Sequence, residues 1–313
     1  MSPQARERIS ALSQGRPCVI DLDDCDVLMP TVDDFLQPYD PIRAPLFVKW
    51  IPLCEIIGRV GKMLRRRPHD ASSSAISLAQ DLIAWVQSLP PALQPGIQAS
   101  RTTGFNRDVH GMHLTYLSCV TILRLGQDAQ PLPKVSIAAI VAASCTARIV
   151  QDYLIRGSVS FLAGQAGWYI TVAILALLHG RRLEGLAINA DADIRVLRSA
   201  LRAMARTWHS ARLFEKGIDN LMDTLDLSQR SMGTGATAPS SPSMDELSAT
   251  AGIKWQDYVP YVTADTSPLI ATLMAQDEQL WLFEESGWTF DFQGHLNQFV
   301  PGSGYLNLDF MSL

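Results

Sequence analysis

Apolar residues return every three or four positions along most of the chain, and few runs alternate in polarity for long enough to make a strand. The pattern predicts helices almost throughout, punctuated by proline and glycine. Residues 3–14 form a short helix with Ile9 and Leu12 on one face, ended by Gly15, since a helix end favours a residue free to turn left-handed. Residues 16–39 read as an acidic, proline-bearing connector. Residues 46–67 carry Phe47, Ile51, Cys54, Ile57, Val60 and Leu64 at helical spacing, with a kink expected at Pro52 and Arg65, Arg66 and Arg67 suited to the negative helix end. Residues 74–89 repeat the theme with Leu78, Leu82, Trp85, Val86 and Leu89, until Pro90 and Pro91 stop it. Further helices are predicted over 106–125, 133–155, 159–182 and 190–224, with no internal repeat. The fold class is therefore all-α, a multi-helix array.

Residues 159–178 run without a charge and are followed by Arg181 and Arg182, so they could be read as a membrane span. Gln165 and two glycines interrupt the run, and Trp168 and Tyr169 fall mid-span, away from the interfaces where such rings collect. A helix buried on all sides fits these residues better. A membrane-associated protein remains the alternative reading.

Composition divides the chain into three parts: a helical domain over 1–227, a flexible linker over 228–250 rich in Ser, Gly, Thr and Pro, and a tail over 251–313. From residue 241 onward ten acidic residues meet the single basic Lys254, a charge of −9, so residues 1–240 carry +4 of the overall −5. Within the tail, Trp281, Phe283, Trp288, Phe290 and Phe292 alternate with carboxylates. That composition belongs to segments that stay solvated when free and offer rings to a coactivator groove when bound. The plainer possibility is that the tail's rings pack back onto the helical domain.

With 47% hydrophobic and 18% charged residues among 313, most of the chain should fold. Its net negative charge opposes direct binding to nucleic acid. Cys18, Cys25, Cys54, Cys119 and Cys145 are odd in number, scattered and without CxxC spacing. They read as free thiols of a reducing compartment. The start, MSPQARERIS, carries no signal-peptide pattern, so an intracellular protein is expected.

Catalytic templates are scarce. Asp21, Asp23, Asp24 and Asp26 form a dense acidic group, as in all-helical magnesium-dependent enzymes that hold diphosphate. Such a motif needs acidic residues at i, i+1 and i+4, but Val27 stands four after Asp23, and flanking prolines disfavour a long helix. No GxSxG, HExxH or phosphate-cradling loop is present. His110 and His113 could share a helix face, but two imidazoles without a third ligand are more often packing. The run of three arginines could serve nuclear import or simply be a solvated helix end.

Residues 15–35, GRPCVIDLDDCDVLMPTVDDF, resemble the segment after the first helix of a known regulatory domain. The resemblance takes in Arg6, Glu7, Arg8 and Ile9, then Gly15-Arg16-Pro17, the group around Asp24 and Asp26, Pro30, and Asp33-Asp34-Phe35. DLIAWVQSLPPAL at 81–93, with Trp85 and Pro90, and MHLTYLSCVTILRL at 112–125, with His113 and Tyr116, follow in the same order. The three blocks resemble the fungal-specific transcription factor domain, the middle homology region of zinc binuclear cluster regulators, particularly members like the cutinase transcription factors. The family's last helix usually closes on Arg-Pro, whereas here Leu125 follows Arg124.

The resemblance implies a non-catalytic, all-helical regulatory domain in the nucleus, set between a DNA-binding zinc cluster and an activating tail. It implies a homo- or heterodimer with a related regulator, a coactivator at the tail, and an inducing small molecule whose identity the residues do not give. The six-cysteine cluster is not in this sequence, nor are helices that the family carries upstream of it. Zinc is therefore expected only in that absent cluster, no cofactor is expected in this chain, and DNA is reached only indirectly. A truncated gene or a paralogue that borrows DNA binding would each give this pattern, with exposed apolar surface favouring instability or dimerisation. Asp24 and Asp26 are expected to pair with Arg6, Arg8 or Arg16 and lock the connector to the first helix.

Overall fold

The computed structural model describes residues 3–20, 26, 28–38, 40–65, 71–99, 101–102, 104–125, 136–183, 185–231 and 253–275. Ten α-helices and several short 3-10 turns lie among them, with no strand. The all-α array expected from the sequence is observed.

The helices are α1 (Pro3–Gln14), α2 (Arg43–Leu64), α3 (Ala71–Gln87), α4 (Arg107–Leu123), α5 (Ile137–Ile155), α6 (Ala166–Gly180), α7 (Ala187–Met204), α8 (His209–Ser231), α9 (Trp255–Tyr258) and α10 (Pro268–Ala275). Helices α4, α5 and α6 form the centre, and nearly every side chain on them is buried. Helix α5 touches α4, α6, α7, α9 and α10; α1 to α3 cover one side of the centre, and α7 and α8 pack against α6 on another. Local chemistry fixes the helix starts: the Asn106 side chain accepts hydrogen bonds from the backbone N–H groups of Asp108 and Val109 at 2.9 and 3.1 Å. Pro52 removes one backbone donor from α2, yet the helix continues through it.

Among the described residues one helix, α5, is long and apolar enough to cross a membrane by length and composition. In the fold its apolar surface is covered by protein: 89% of that stretch is buried. The run singled out in the sequence, 159–178, is not one helix. It divides into a 3-10 turn at Val159–Phe161, a bend, and α6. The bend is built where Trp208 lies over Gly164: a β-carbon there would come within 3.1 Å of the indole ring, and the indole N–H donates to the Leu162 carbonyl at 3.0 Å.

The helix predicted over 190–224 is likewise two, α7 and α8. The turn between them bonds Thr207 N–H and Trp208 N–H back to the Met204 carbonyl at 2.9 and 2.8 Å. Met204, Trp208 and Ala211 keep three- and four-residue spacing across the break, so periodicity carries no sign of it.

Residues 253–275, which composition groups with the tail, pack into the core. Trp255, Tyr258, Val259, Tyr261, Leu269, Ile270 and Leu273 are all buried there. Trp281, Phe283, Trp288, Phe290 and Phe292 lie outside the described residues.

Candidate functional site

The connector residues act through the main chain. Gly15 takes φ 63°, and the N–H of Arg16 closes α1 by donating to the Ala11 carbonyl at 2.9 Å, with Pro17 next in line. Glu7 Oε1 accepts from Val19 N–H at 2.7 Å, Arg65 donates to the Arg16 carbonyl at 2.8 Å, and Arg8 donates to the Ile20 carbonyl at 3.4 Å. Asp34 accepts from Thr31 N–H at 2.7 Å and Thr31 Oγ1 at 3.1 Å, closing the 3-10 turn Val32–Asp34 on itself. Pro30 precedes that turn, half-buried. Asp24 lies outside the described residues, and Asp26 is exposed, with no ion pair to Arg8 or Arg16 among those described. Among the described residues the ties of the connector thus run to backbone groups, with Asp24 and the Arg6 side chain outside what is described.

Arg8 is buried because it lies across Gly58 of α2: a β-carbon at Gly58 would sit 1.9 Å from Arg8 Nη1. Gly58→Ala should therefore expel the guanidinium and loosen the connector, costing about 1–3 kcal/mol of stability, less the up to about 1 kcal/mol that alanine adds to a helix. The double variant Gly58→Ala with Arg8→Ala should be less destabilised than the sum of the singles in thermal melts. Additive effects would mean that Arg8 leaves α2 without resistance.

Trp85, His113 and Tyr116 converge on one buried cluster. The Trp85 ring stacks on Tyr116 with centroids 5.1 Å apart, and its indole N–H donates to the Lys49 carbonyl at 2.8 Å. His113 is fully buried; Nε2 donates to the Leu93 carbonyl at 2.8 Å, and Nδ1 accepts from the Tyr261 hydroxyl at 3.3 Å. Pro90 enters through the 3-10 turn Pro91–Leu93, which it caps and which presents that carbonyl. Tyr116 donates to the Tyr258 carbonyl at 2.7 Å. Arg124 donates to the Tyr258 hydroxyl through both Nε, at 2.9 Å, and Nη2. Burial pushes His113 down to about 4, so the imidazole is neutral near pH 7. His113 and Tyr116 thus hold the C-terminal segment against α4, and Trp85 packs behind both rings.

His110 does not share this cluster. Its Nδ1 lies 2.7 Å from the Asn106 carbonyl, and its ring packs on Phe105. Among the described residues no three His, Cys, Asp or Glu side chains are grouped so as to hold a metal ion. Burial raises the thiols of Cys54 and Cys119 to about 12, leaving them protonated and unreactive.

Two polar clusters escaped the sequence reading. Asp152 is buried between Arg148 at 2.9 Å and Arg156 at 2.8 Å, and accepts a hydrogen bond from Thr102. Its signal was the i, i+4 spacing of Arg148, Asp152 and Arg156 along α5. Asp193 of α7 accepts from Ser144 Oγ at 2.6 Å, and Ser144 lies 2.8 Å from Ser267 Oγ. Burial raises the Asp193 carboxyl from 3.8 to about 7. Nothing in the local sequence marks this contact, whose partners are far apart along the chain.

A hollow of about 320 Å³ opens between α1, α2, α4 and the bend before α6. Its walls are mainly apolar, with Arg107 and Asp108 among the few charged residues that line it. Phe161, 64% exposed, also lines it, and the Arg107 guanidinium lies 4.6 Å from the centre of its ring.

The described residues therefore define an α-helical array in which Trp85, His113 and Tyr116 are tied into packing and hydrogen bonds. The chain is similar to cutinase transcription factor 1 alpha of Fusarium vanettenii, with 26% identity over 245 residues, 69% of this chain and 26% of that protein. It thus spans about a quarter of the length of that curated relative. No family model matches the sequence. No solved structure matches either.

Proposed function

We propose that this chain is a regulatory, non-catalytic part of a fungal transcription factor that acts on RNA polymerase II transcription in the nucleus. The similarity to a cutinase transcription factor carries this reading. The placement of Trp85, His113 and Tyr116 supports it, because these residues organise a core and are closed off from any substrate. DNA is reached indirectly, through a dimer with a related regulator whose zinc cluster binds it. Residues 1–227, extended by the packed segment to residue 275, form the regulatory body. The acidic and aromatic stretch over 277–292 engages a coactivator.

The test is a reporter assay with residues 277–292, and separately the full chain, fused to a heterologous DNA-binding domain. Both fusions should activate, and alanine at Trp281, Phe283, Trp288 and Phe290 together should return the signal to background. Wild-type and substituted fusions that are equally silent would remove the activation reading.

A further inference from the structure

Protein interiors are close-packed, with few voids larger than a water molecule. Here a hollow of about 320 Å³ opens at the surface, and its volume matches the lower end of cavities that take small ligands, about 300–1,000 Å³. Phe47, Trp50 and Tyr169 give it aromatic walls, with Met112 and Leu114 adding aliphatic surface. Such walls favour a flat apolar body that can stack or meet rings edge to face.

Charge is placed to one side. Asp108 lies 3.7 Å from both Arg107 and Arg43, and Arg43 lies 3.7 Å from Asp40 as well, so the four charges balance. At that distance Asp108 accepts no hydrogen bond from Arg107, whose guanidinium donors stay available beside the hollow. The Arg107 side chain is 44% exposed, which keeps it hydrated and charged while a ligand can still reach it. Guanidinium groups bind carboxylates and related anions through paired, charge-assisted hydrogen bonds.

We propose that this hollow binds a small, flat, mainly apolar molecule bearing one anionic group, its rings between Phe47, Trp50 and Tyr169 and its charge at Arg107. Neighbouring structure gives the site a mechanical connection. Leu162, Ala163 and Gln165 on its edge belong to the bend that Trp208 pins, and Trp208 sits in the turn that begins α8. A ligand pressing on that edge acts on the junction of α7 and α8.

Two dyes with the same ring framework test the proposal on the full chain: anionic 8-anilinonaphthalene-1-sulfonate and uncharged N-phenyl-1-naphthylamine. Each should bind saturably, one per chain, by fluorescence titration. A β-carbon added at Gly111 meets only the Tyr153 hydroxyl, at 3.7 Å, so this position on α4 has room for a larger side chain. Gly111→Leu should fill the hollow and weaken both dyes by about tenfold or more, whereas Gly111→Ala should retain them. Ala163→Phe, on the exposed bend, blocks the site from outside and serves if Gly111→Leu fails to fold. Arg107→Gln should weaken only the sulfonate, by roughly fivefold.

Absent or non-saturable binding, or affinities indifferent to both blocking variants, would overturn the site. Equal response of the two dyes to Arg107→Gln would overturn the anionic part. Because binding is read without transcription, a bound dye beside a silent reporter fusion would remove the activation reading and leave the site standing.

Discussion

Asp193→Asn should raise the melting temperature at about pH 8 and leave it almost unchanged at about pH 4. The carboxylate is held by Ser144 and lies beside Ser267, and none of the ion pairs among the described residues includes it. Burial favours its protonated form and raises it from 3.8 to about 7. Below the unfolded value both states are protonated, and burial of this group imposes no charge penalty. Between roughly pH 4 and 7 the folded chain keeps a proton that the unfolded chain has released, so stability falls as pH rises through that window. Above the folded value the penalty is complete, with a ceiling of roughly 4 kcal/mol for a shift of this size. Asparagine keeps an acceptor for Ser144 and carries no charge, so it should recover on the order of 2–3 kcal/mol at alkaline pH, roughly 5 °C in a chain of this length.

Wild-type melting alone would hide the effect. His113 and His179 are both lowered to about 4 by burial, so each contributes stability that is present above the unfolded histidine value of 6.5 and lost as pH falls toward 4. Their slope opposes that of Asp193 over most of the window. The difference between the Asp193→Asn and wild-type curves cancels the histidines and isolates the carboxyl. A difference that stays constant from about pH 4 to 8 would place the ionised form comfortably in the fold and refute the assignment.

The helices were legible where period and punctuation agree. Residues 3–14 coincide with α1, because Gly15 supplies a stop signal that the left-handed backbone there requires. Asn106 marks the start of α4 for the same kind of reason, its short side chain completing the backbone's first free donors. Breaks made by tertiary contact were not legible. Trp208 creates one between α7 and α8 and clamps another before α6, yet its spacing is that of an ordinary core residue. Selecting Trp85, His113 and Tyr116 was possible from family-like blocks, but the partner of His113 and Tyr116, residues 253–275, lies more than a hundred residues away and was hidden under a change of composition. Acidic charge dominates the count over 241–313, whereas burial of 253–275 is decided by a few rings and aliphatic residues within it.

That segment is where the second large effect is expected. Tyr258→Ala should destabilise the chain by about 3–5 kcal/mol, the usual cost of truncating a buried aromatic side chain. Tyr258 is 1% exposed, stacks under the Arg124 guanidinium at 5.2 Å, and receives that guanidinium on its hydroxyl, so truncation leaves both a void and a stranded cation. Tyr116→Phe removes only the donor to the Tyr258 carbonyl and should cost about 1–3 kcal/mol, since a buried acceptor loses its partner. The two losses should not add. Once Tyr258→Ala has loosened the segment, its carbonyl can turn to water, and the double variant should fall short of the sum by about 0.5–3 kcal/mol. Limited proteolysis reads the same event locally: cleavage within 253–262 should quicken in Tyr258→Ala, while sites in α5 and α6 stay protected. Additive melting effects with unchanged cleavage at 253–262 would show that the segment does not depend on α4. Residue 250 would then be the right place to end the packed helical body.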